Sequence, residues 1–599
     1  MANFVIVVDA DAERRERFIQ TITPQIAPVE GLRTASCATG DFHTVWAAHE
    51  SAPVSHISDG EGAAVIWGDA IPGKGFGRID ARQLRKLWRD PAAHMPDAFD
   101  GYHAAVAYRP DTGVVVGTDL LGYFPVYHFT TDDVLLVGSS PELFKEHPLF
   151  RAQLDLEGLV GILMLMHSVG ARTLLRGVSR LGLGHMLVGR AGAVKEITQF
   201  EIPRSDRYFD LPLSAHIELV DRALDQAMTR YVAEDTRHTL MLSGGLDSRM
   251  LGGLLKRKGR RDTVLLTLGQ PTDAEMHCAL SVARELGFEH HTAEPAFDQY
   301  PSLAAIHAKW QHGINGFNSI LPWADQRVLR TLAPRIITGF DGCLNIGGAH
   351  ISRAYAPEEM RFSFETLFAN VNAWGIPRAT LKKLLRPEVF GDLVEEKFRR
   401  IRADYEIPGE RDSYRALRFA LHNRSRHHIG AVAWELSFGA WPVLPLLDRN
   451  LMECLGGIPT SSFGDRLLQN ELVATRFPEL AALPLDQSVT EPSPLRPRFR
   501  WLLASHLYRR HVNALRRRLH RCERRYFYRI YDINNPGWIA VRQRAEPCRE
   551  RVAHLFNMDV LSEFLPPPNI PLKLEDGVRD ASGRKTLLGL LLWANEYLP

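Results

Sequence analysis

The sequence predicts an α/β protein of two sheet-containing units followed by a helical tail, and three features of its 599 residues predict it. Up to about residue 200, short apolar runs such as AAVIWG, HAAVAY, GVVVGT, PVYHF and VLLVGS are separated by Gly, Asp and Pro turn signals, as in packed sheets. From about residue 213, segments of helical period (LSAHIELVDRALDQAMTRYV, AEMHCALSVARELG) alternate with short apolar runs (HTLMLS, DTVLLTL, PRIITG), the pattern of a parallel sheet wound with helices. The first of those runs leads straight into SGGLDS at 243–248. These features divide the chain into 1–205, 206–490 and 491–599.

The N-terminal unit opens with MANFVIVVDADAERR, whose apolar run of about six residues is closed by Asp9. It is too short for the core of a signal peptide and is read as a first strand. The longest apolar stretches, around GILMLM at 161 and LLGLLLW at 587, fall far short of the roughly 18 residues of a membrane span, so no membrane association is expected. The six cysteines have no CxxC spacing, which points to neither a disulfide framework nor a zinc site and fits a cytoplasmic protein. A net charge of +2, with 45% hydrophobic and 24% charged residues, describes a globular protein without a globally nucleic-acid-like surface.

In the second unit, Thr239 to Leu242 are read as a strand, with Ser243, Gly244, Gly245, Leu246, Asp247 and Ser248 turning the chain into a helix that begins near Arg249. Glycines let the backbone turn tightly and approach a ligand that a Cβ would exclude. Exposed amides at the helix start, with the hydroxyls of Ser243 and Ser248, make an anion cradle. No GK[ST] follows, so this is not a Walker A loop. A cradle of hydroxyls and amides that holds pyrophosphate suits attack by a carboxylate at the α-phosphate of ATP, with Asp247 holding Mg²⁺.

The third segment runs through EPSPLRPRFR into YRRHVNALRRRLHRCERRYFYRIY. Leu503, Leu507, Leu515 and Leu519, spaced by multiples of four, predict an amphipathic helix with a basic face. Arginines among aromatics from Arg509 to Arg529 suit RNA or an acidic peptide, but a solvated helix face is the commoner meaning of such a run. Nucleic acid is therefore not the expected partner. The pairs His290, His291 and His427, His428 lack metal-site spacing.

SGGLDS between a strand and a helix resembles the PP-loop of ATP pyrophosphatases, and its surroundings resemble the asparagine synthetase family, which includes β-lactam synthetases and lasso-peptide cyclases. The likeness runs over about residues 60–490. TDLLGYFPVYH (118–128), LLVGSSPELF (135–144) and TLLRGVSRLGLGHML (173–187) are similar to segments of the family's glutaminase domain. TDAEMHCALSVARELGFEHH (272–291), with Asp273 and Glu275, TGFDGCLNIGG (338–348) and WPVLPLLDR (441–449) are similar to segments of its synthetase domain. The resemblance implies an Ntn-hydrolase-like αββα sandwich in 1–205 and a PP-loop synthetase domain in 206–490. It implies ATP and Mg²⁺ as cofactors, with Leu268 and Gly339 joining residues 243–248 at the nucleotide.

The sequence departs from the family in three places. Ala2 stands where glutamine-using members carry a nucleophilic cysteine, and IWGDAI (66–71) stands near the place of their glutamine-binding segment. No thioester can form without the thiolate, so the N-terminal unit is expected not to hydrolyse glutamine. Aligning Gly339 and the Gly347, Gly348 pair puts Cys343 and Leu344 where the family has its metal-binding Asp and adjacent Glu, and Asp341 is the carboxylate available as substitute ligand. Glu435, the nearest carboxylate upstream of PLLD, is either the group that meets the substrate or takes a proton from the attacking amine, or a helix-surface glutamate. The later-loop lysine of some members is missing, leaving Arg496, Arg498 or Lys573 in its stead.

The expected activity is an ATP-dependent ligase that adenylates a small-molecule or peptide carboxylate and passes it to ammonia or a substrate amine. A lasso-peptide or β-lactam type cyclase and a uronic-acid amide-forming enzyme are variants of that reading. An inactive nucleotide-binding scaffold and a PP-loop enzyme acting on tRNA are rivals to it. A homodimer is compatible with all of them.

Overall fold

The computed structural model describes residues 2–89, 97–294, 296–312, 320–324, 326–342, 346, 364–485, 492–496, 508, 511–512, 515, 532–574 and 579–598. The N-terminal unit holds strands β1 (Ala2–Asp9), β2 (Arg33–Thr39), β3 (Phe42–Ala48), β4 (Val54–Asp59), β5 (Gly62–Gly68), β6 (His103–Arg109), β7 (Gly113–Thr118), β8 (Tyr127–Thr130), β9 (Val134–Gly138), β10 (Ser179–Arg180), β11 (His185–Arg190) and β12 (Ala193–Thr198). They form two six-stranded sheets, β10-β8-β9-β1-β3-β2 and β12-β11-β7-β6-β5-β4.

β1 lacks a polar alternation because both its faces are covered. Toward the second sheet, Phe4 stacks on Trp67 with ring centroids 4.0 Å apart. Against the other face lies helix α1 (Ala12–Ile22), capped by Asp11 and burying Phe18, Ile19 and Ile22. β5 shows the same two-sided burial: Val65 and Trp67 face the sandwich interior, while Ala64 and Ile66 face helix α2 (Ala81–Leu87). The order helix, sheet, sheet, helix is the predicted layering. The apolar stretch at 161 lies in the buried helix α3 (Leu156–Leu165). No described helix is long and apolar enough to cross a membrane.

The second unit enters through α4 (Leu213–Tyr231) and builds a five-stranded sheet from β13 (His238–Met241), β14 (Val264–Leu268), β15 (Glu289–Ala293), β16 (Arg335–Ile337) and β17 (Trp441–Val443). The order is β15-β14-β13-β16-β17, and every neighbouring pair is parallel. Helices α5 (Leu246–Arg257), α6 (Ala274–Leu286) and α7 (Tyr300–Gln311) belong to its connections. Because β14 and β16 flank β13 on opposite sides, the chain leaves β13 one way and returns on the other. That reversal puts a topological switch point at the carboxyl ends of β13 and β16, the usual ligand position in such sheets.

Several buried clusters join the units, among them two that hold buried carboxylates. Arg230, at the end of α4, bridges Asp100 of the N-terminal unit at 2.5 Å and Asp448 of the second unit. The second cluster includes the C-terminal helix, Arg579–Tyr597, which carries the apolar stretch at 587. Its Tyr597 hydroxyl donates to Glu142, which also contacts His312 at 3.2 Å, and its Trp593 indole donates to His312 at 2.9 Å. The last helix is thus wedged into the joint rather than appended to it, which helical period alone cannot reveal. The described part of 491–599 is largely helical, with further helices at Pro536–Ala545 and Met558–Phe564. Of the arginine-rich run 509–529, only His511, Val512 and Leu515 are described; Leu503, Leu507, Leu519 and Arg498 lie outside the described residues.

Candidate functional site

The SGGLDS loop sits at the carboxyl end of β13, at the switch point. The strand is His238–Met241 and the helix starts at Leu246, three residues earlier than the sequence predicts. Gly245, with extended dihedrals, caps the helix, and the buried Leu246 side chain begins its first turn, so the glycines finish the turn on their own. Asp247 and Ser248 therefore sit in the first helical turn, where backbone amides and the helix dipole favour anions. The serines close the loop on themselves: Ser243 N donates to Ser248 Oγ at 3.0 Å, the two hydroxyls lie 2.9 Å apart, and Gly245 N donates to Ser243 Oγ at 3.2 Å.

The loop following β16 lies directly on this one. A Cβ at Gly339 would stand 2.8 Å from the Asp247 Cβ, and one at Gly342 would stand 2.7 Å from Asp247 Oδ1. Both positions need glycine for close approach, and Asp341 lies between them. Asp341 is buried, 5% exposed, in a left-handed conformation at φ 55. Its Oδ2 has no hydrogen-bond partner among the described residues. Burial pushes its carboxyl up to about 6, opposed by the charge of Arg424 and a hydrogen bond from Ser425. A strained, desolvated carboxylate of this kind is a frequent mark of a working site.

Asp247 is held by two groups that sequence reasoning missed. Its Oδ1 accepts from Arg466 Nη2 at 3.1 Å and Gln469 Nε2 at 2.5 Å. Burial raises its carboxyl above the ordinary carboxylate range, and these two partners pull it back. The available signal was the spacing of three between Arg466 and Gln469 at the start of the helix Leu467–Arg476, with FGDR ahead of it. Arg249, also missed, is fully buried and fastens the loop: it donates to the carbonyls of Leu480 at 2.8 Å, Pro484 at 2.6 Å and Gly244 at 3.2 Å.

The partners of Asp341 come from an uncommon element, a π-helix at Leu421–Ile429. Its wide turn belongs to a class that recurs at functional sites. The two residues after Ser425 point into the N-terminal unit. Arg426 donates to the carbonyls of Leu181 and Gly170, each at 2.6 Å, and His427 accepts from Arg180 at 3.1 Å. Burial, then the charges of Arg426 and Arg180, keep His427 well below the usual histidine range and hence neutral. The N-terminal unit thereby buttresses the element that reaches Asp341.

The other residues singled out by sequence make the following contacts. Glu435 is fully buried, which removes the helix-surface alternative; it pairs with His307 at 3.1 Å, and its carbonyl accepts from Gln326 at 2.6 Å. Leu268 is half-buried at the carboxyl end of β14, next to β13. Asp273 stands at the N-cap position of α6, with its carboxylate turned back to accept from Gln270 N at 2.7 Å. Asp448 of PLLDR caps the helix Arg449–Gly456 and binds Arg230, so that segment secures the joint. Asp119 closes its own turn, accepting from Tyr123 N at 3.0 Å and Phe124 N at 2.7 Å. Arg496 pairs with Glu471, and Lys573 is exposed. Cys343, Leu344, Gly347 and Gly348 lie outside the described residues.

Among the described residues no group of three His, Cys, Asp or Glu side chains could enclose a metal. Two carboxylates on adjoining loops nevertheless fit Mg²⁺, which takes hard oxygen donors and commonly binds through one or two carboxylates plus substrate phosphates. If Asp341 serves such a purpose, Asp341→Gly should hold or gain stability, by about 1 kcal/mol from the relieved left-handed strain, while losing at least tenfold in nucleotide-dependent turnover. Thermal melts and pyrophosphate assays of that variant check both halves.

Residues 219–306 match the asparagine synthase family. No curated protein matches the sequence. Similar solved structures include an NH3-dependent NAD synthetase from Campylobacter jejuni, at 18% identity over 22% of this chain and 60% of that one, TM-score 0.17. A glutamine phosphoribosylpyrophosphate amidotransferase from B. subtilis is 12% identical over 49% of this chain and 65% of that one, TM-score 0.21. An NMN synthetase from Francisella tularensis is 16% identical over 36% of this chain and 96% of that one, TM-score 0.19. This chain thus spans less than two thirds of the first two, and TM-scores this low give the likenesses no weight for mechanism.

Proposed function

We propose that this chain, with its asparagine synthase match over residues 219–306, is an ATP-dependent ligase that adenylates a carboxylate and passes the acyl group to ammonia or a substrate amine. The observation that carries this reading is the meeting of the SGGLDS loop with the Asp341 loop at the point where the sheet reverses direction. The substrate carboxylate attacks the α-phosphorus of ATP, the bond to pyrophosphate breaks, and an amine then displaces AMP and loses a proton. Amides at the start of α5 and the hydroxyls of Ser243 and Ser248 hold the departing pyrophosphate. Arg466, beside Asp247, adds a positive charge there. Mg²⁺, held by Asp247 and Asp341, would neutralise phosphate charge.

Within this reading Glu435, paired with His307, accepts the amine's proton. Glu435→Gln is then expected to retain substrate-dependent ATP–pyrophosphate exchange while losing amide product. Equal loss of both would assign the pair to the core alone.

The nitrogen source is ammonia or an amine on the substrate, because the N-terminal unit has no nucleophile at Ala2. Trp67 stacks on Phe4, and Phe4, Phe124 and Trp441 follow at centroid distances of 6.0 and 6.4 Å, filling the interior from β1 to β17. Without a nucleophile at Ala2, the wild-type chain is therefore expected not to release glutamate from glutamine, and measurable glutaminase activity in it would refute the reading of this unit.

The substrate is a small-molecule or peptide carboxylate; a ring-closing enzyme and a uronic-acid amide-forming enzyme are both compatible with it. Incubation with ATP, Mg²⁺, ammonia and pooled carboxylates, with AMP and pyrophosphate assayed against ADP, tests the reaction class. Saturable ATP binding without turnover on any carboxylate or precursor peptide would favour a nucleotide-binding scaffold, for which the hold of Arg466 and Gln469 on Asp247 is the motivating contact.

A further inference from the structure

A cavity of about 640 Å³ opens where the segment at 202–209 crosses the loop at 408–411. No residue of the SGGLDS loop lines it, so it is separate from the nucleotide site proposed above. The greater part of its wall is apolar, with Leu417, Leu421, Met452, Leu455 and Phe463 among the lining residues beside the hydroxyls of Ser205, Ser413 and Thr460. The four charged residues that line it are matched to one another across the mouth: Arg204 with Glu410, and Arg411 with Asp206 at 2.8 Å. The same two guanidiniums lie over the rings of Tyr414 at 5.0 Å and Phe209 at 4.6 Å. A charged ligand meets no unmatched counter-charge here, whereas an apolar body gains the wall. The volume lies within the range of about 300–1,000 Å³ usual for small-molecule sites.

Two wall residues connect this cavity to the two carboxylates. Leu421 is the first residue of the π-helix whose Ser425 and Arg424 act on Asp341. Phe463 lies three residues ahead of Arg466, which holds Asp247. Between them the chain passes through a turn with Asp465 at φ 52 and Arg466 at φ 64. Consecutive left-handed residues without glycine are strained, so a displaced Phe463 is passed on at Arg466 rather than absorbed in a relaxed loop.

We infer that this cavity is a binding site for a neutral, predominantly apolar small molecule, and that its occupancy is coupled through Phe463 and Leu421 to nucleotide binding. The coupling rests on the nucleotide site proposed above; the binding does not.

The neutral naphthalene dye prodan serves as probe on the full chain. Saturable, blue-shifted emission at one dye per chain is expected, weakened at least tenfold by Met452→Trp, which fills the cavity from its wall. Ser205→Trp, at an exposed rim position, should do the same without touching the core, and thermal melts of both variants confirm that they fold. Saturating dye should shift the dissociation constant of Mg–ATP at least threefold, and ATP should shift that of the dye by the same factor. Absence of saturable dye binding, or binding unchanged in folded Ser205→Trp, would overturn the site. Dye binding lost in the variants with an unshifted ATP constant would overturn the coupling. Failure of ATP to bind even without dye would count against the nucleotide reading, while the dye titration still decides the cavity.

Discussion

Asp247→Asn is expected to reduce substrate-dependent pyrophosphate release by about a thousandfold or more, equivalent to ~4 kcal/mol of transition-state stabilisation, while the chain stays folded. The fold should survive because an asparagine Oδ1 can still accept from Arg466 and Gln469, the two contacts that hold Asp247 here. Removing the charge also removes the burial penalty that raises this carboxyl, so stability should change little or rise. What is lost is the anionic oxygen beside the cradle that can bind a hard cation. Steady-state pyrophosphate assays paired with thermal melts separate the two effects. Turnover within a few-fold of wild type would sink the assignment of the SGGLDS loop as the adenylation site.

The second large effect concerns the joint. Arg230 is 4% exposed and bridges the fully buried Asp100 and Asp448. Arg230→Met leaves two carboxylates buried without their common partner, which should destabilise the chain by about 3–5 kcal/mol. The loss should depend on pH in a defined direction. Burial already raises both carboxyls above their usual range, and Arg230 opposes that rise. Without it, folded-state values climb further above the unfolded ones, so the folded variant binds more protons than its unfolded chain. Its stability is then greatest near the unfolded carboxylate pKa of about 4 and falls as pH rises through the folded values. Denaturant titrations of variant and wild type at pH 5 and pH 8 should show the larger deficit at pH 8. An equal deficit at both would mean that lost packing, not charge, is the cause.

Much of this fold is legible in the sequence because its signals are local. The change from short runs with turn signals to helices alternating with apolar runs separates the antiparallel sandwich from the parallel sheet. SGGLDS marks the strand-to-helix turn because glycines and flanking hydroxyls are local turn signals. The start of α5 was misplaced by three residues because Gly245 completes the turn and frees Leu246 for the helix. The site carboxylates were harder to read. Asp341 could be named as a substitute ligand, but its left-handed backbone, its burial and its dependence on Ser425 are properties of a loop pressed against a distant π-helix.

The sequence by itself determined the two sheet units, the strand-to-helix turn at SGGLDS and the alanine at residue 2. Each depends on residue type and on spacings within a few turns of the chain. Only the tertiary structure decided that Arg466 and Gln469 hold Asp247, that Glu435 is buried against His307, and that the last helix closes the joint at Glu142. Those contacts join residues separated by more than a hundred positions, where periodicity carries no information. Desolvation in the assembled core, not local propensity, selects the partner of each buried charge.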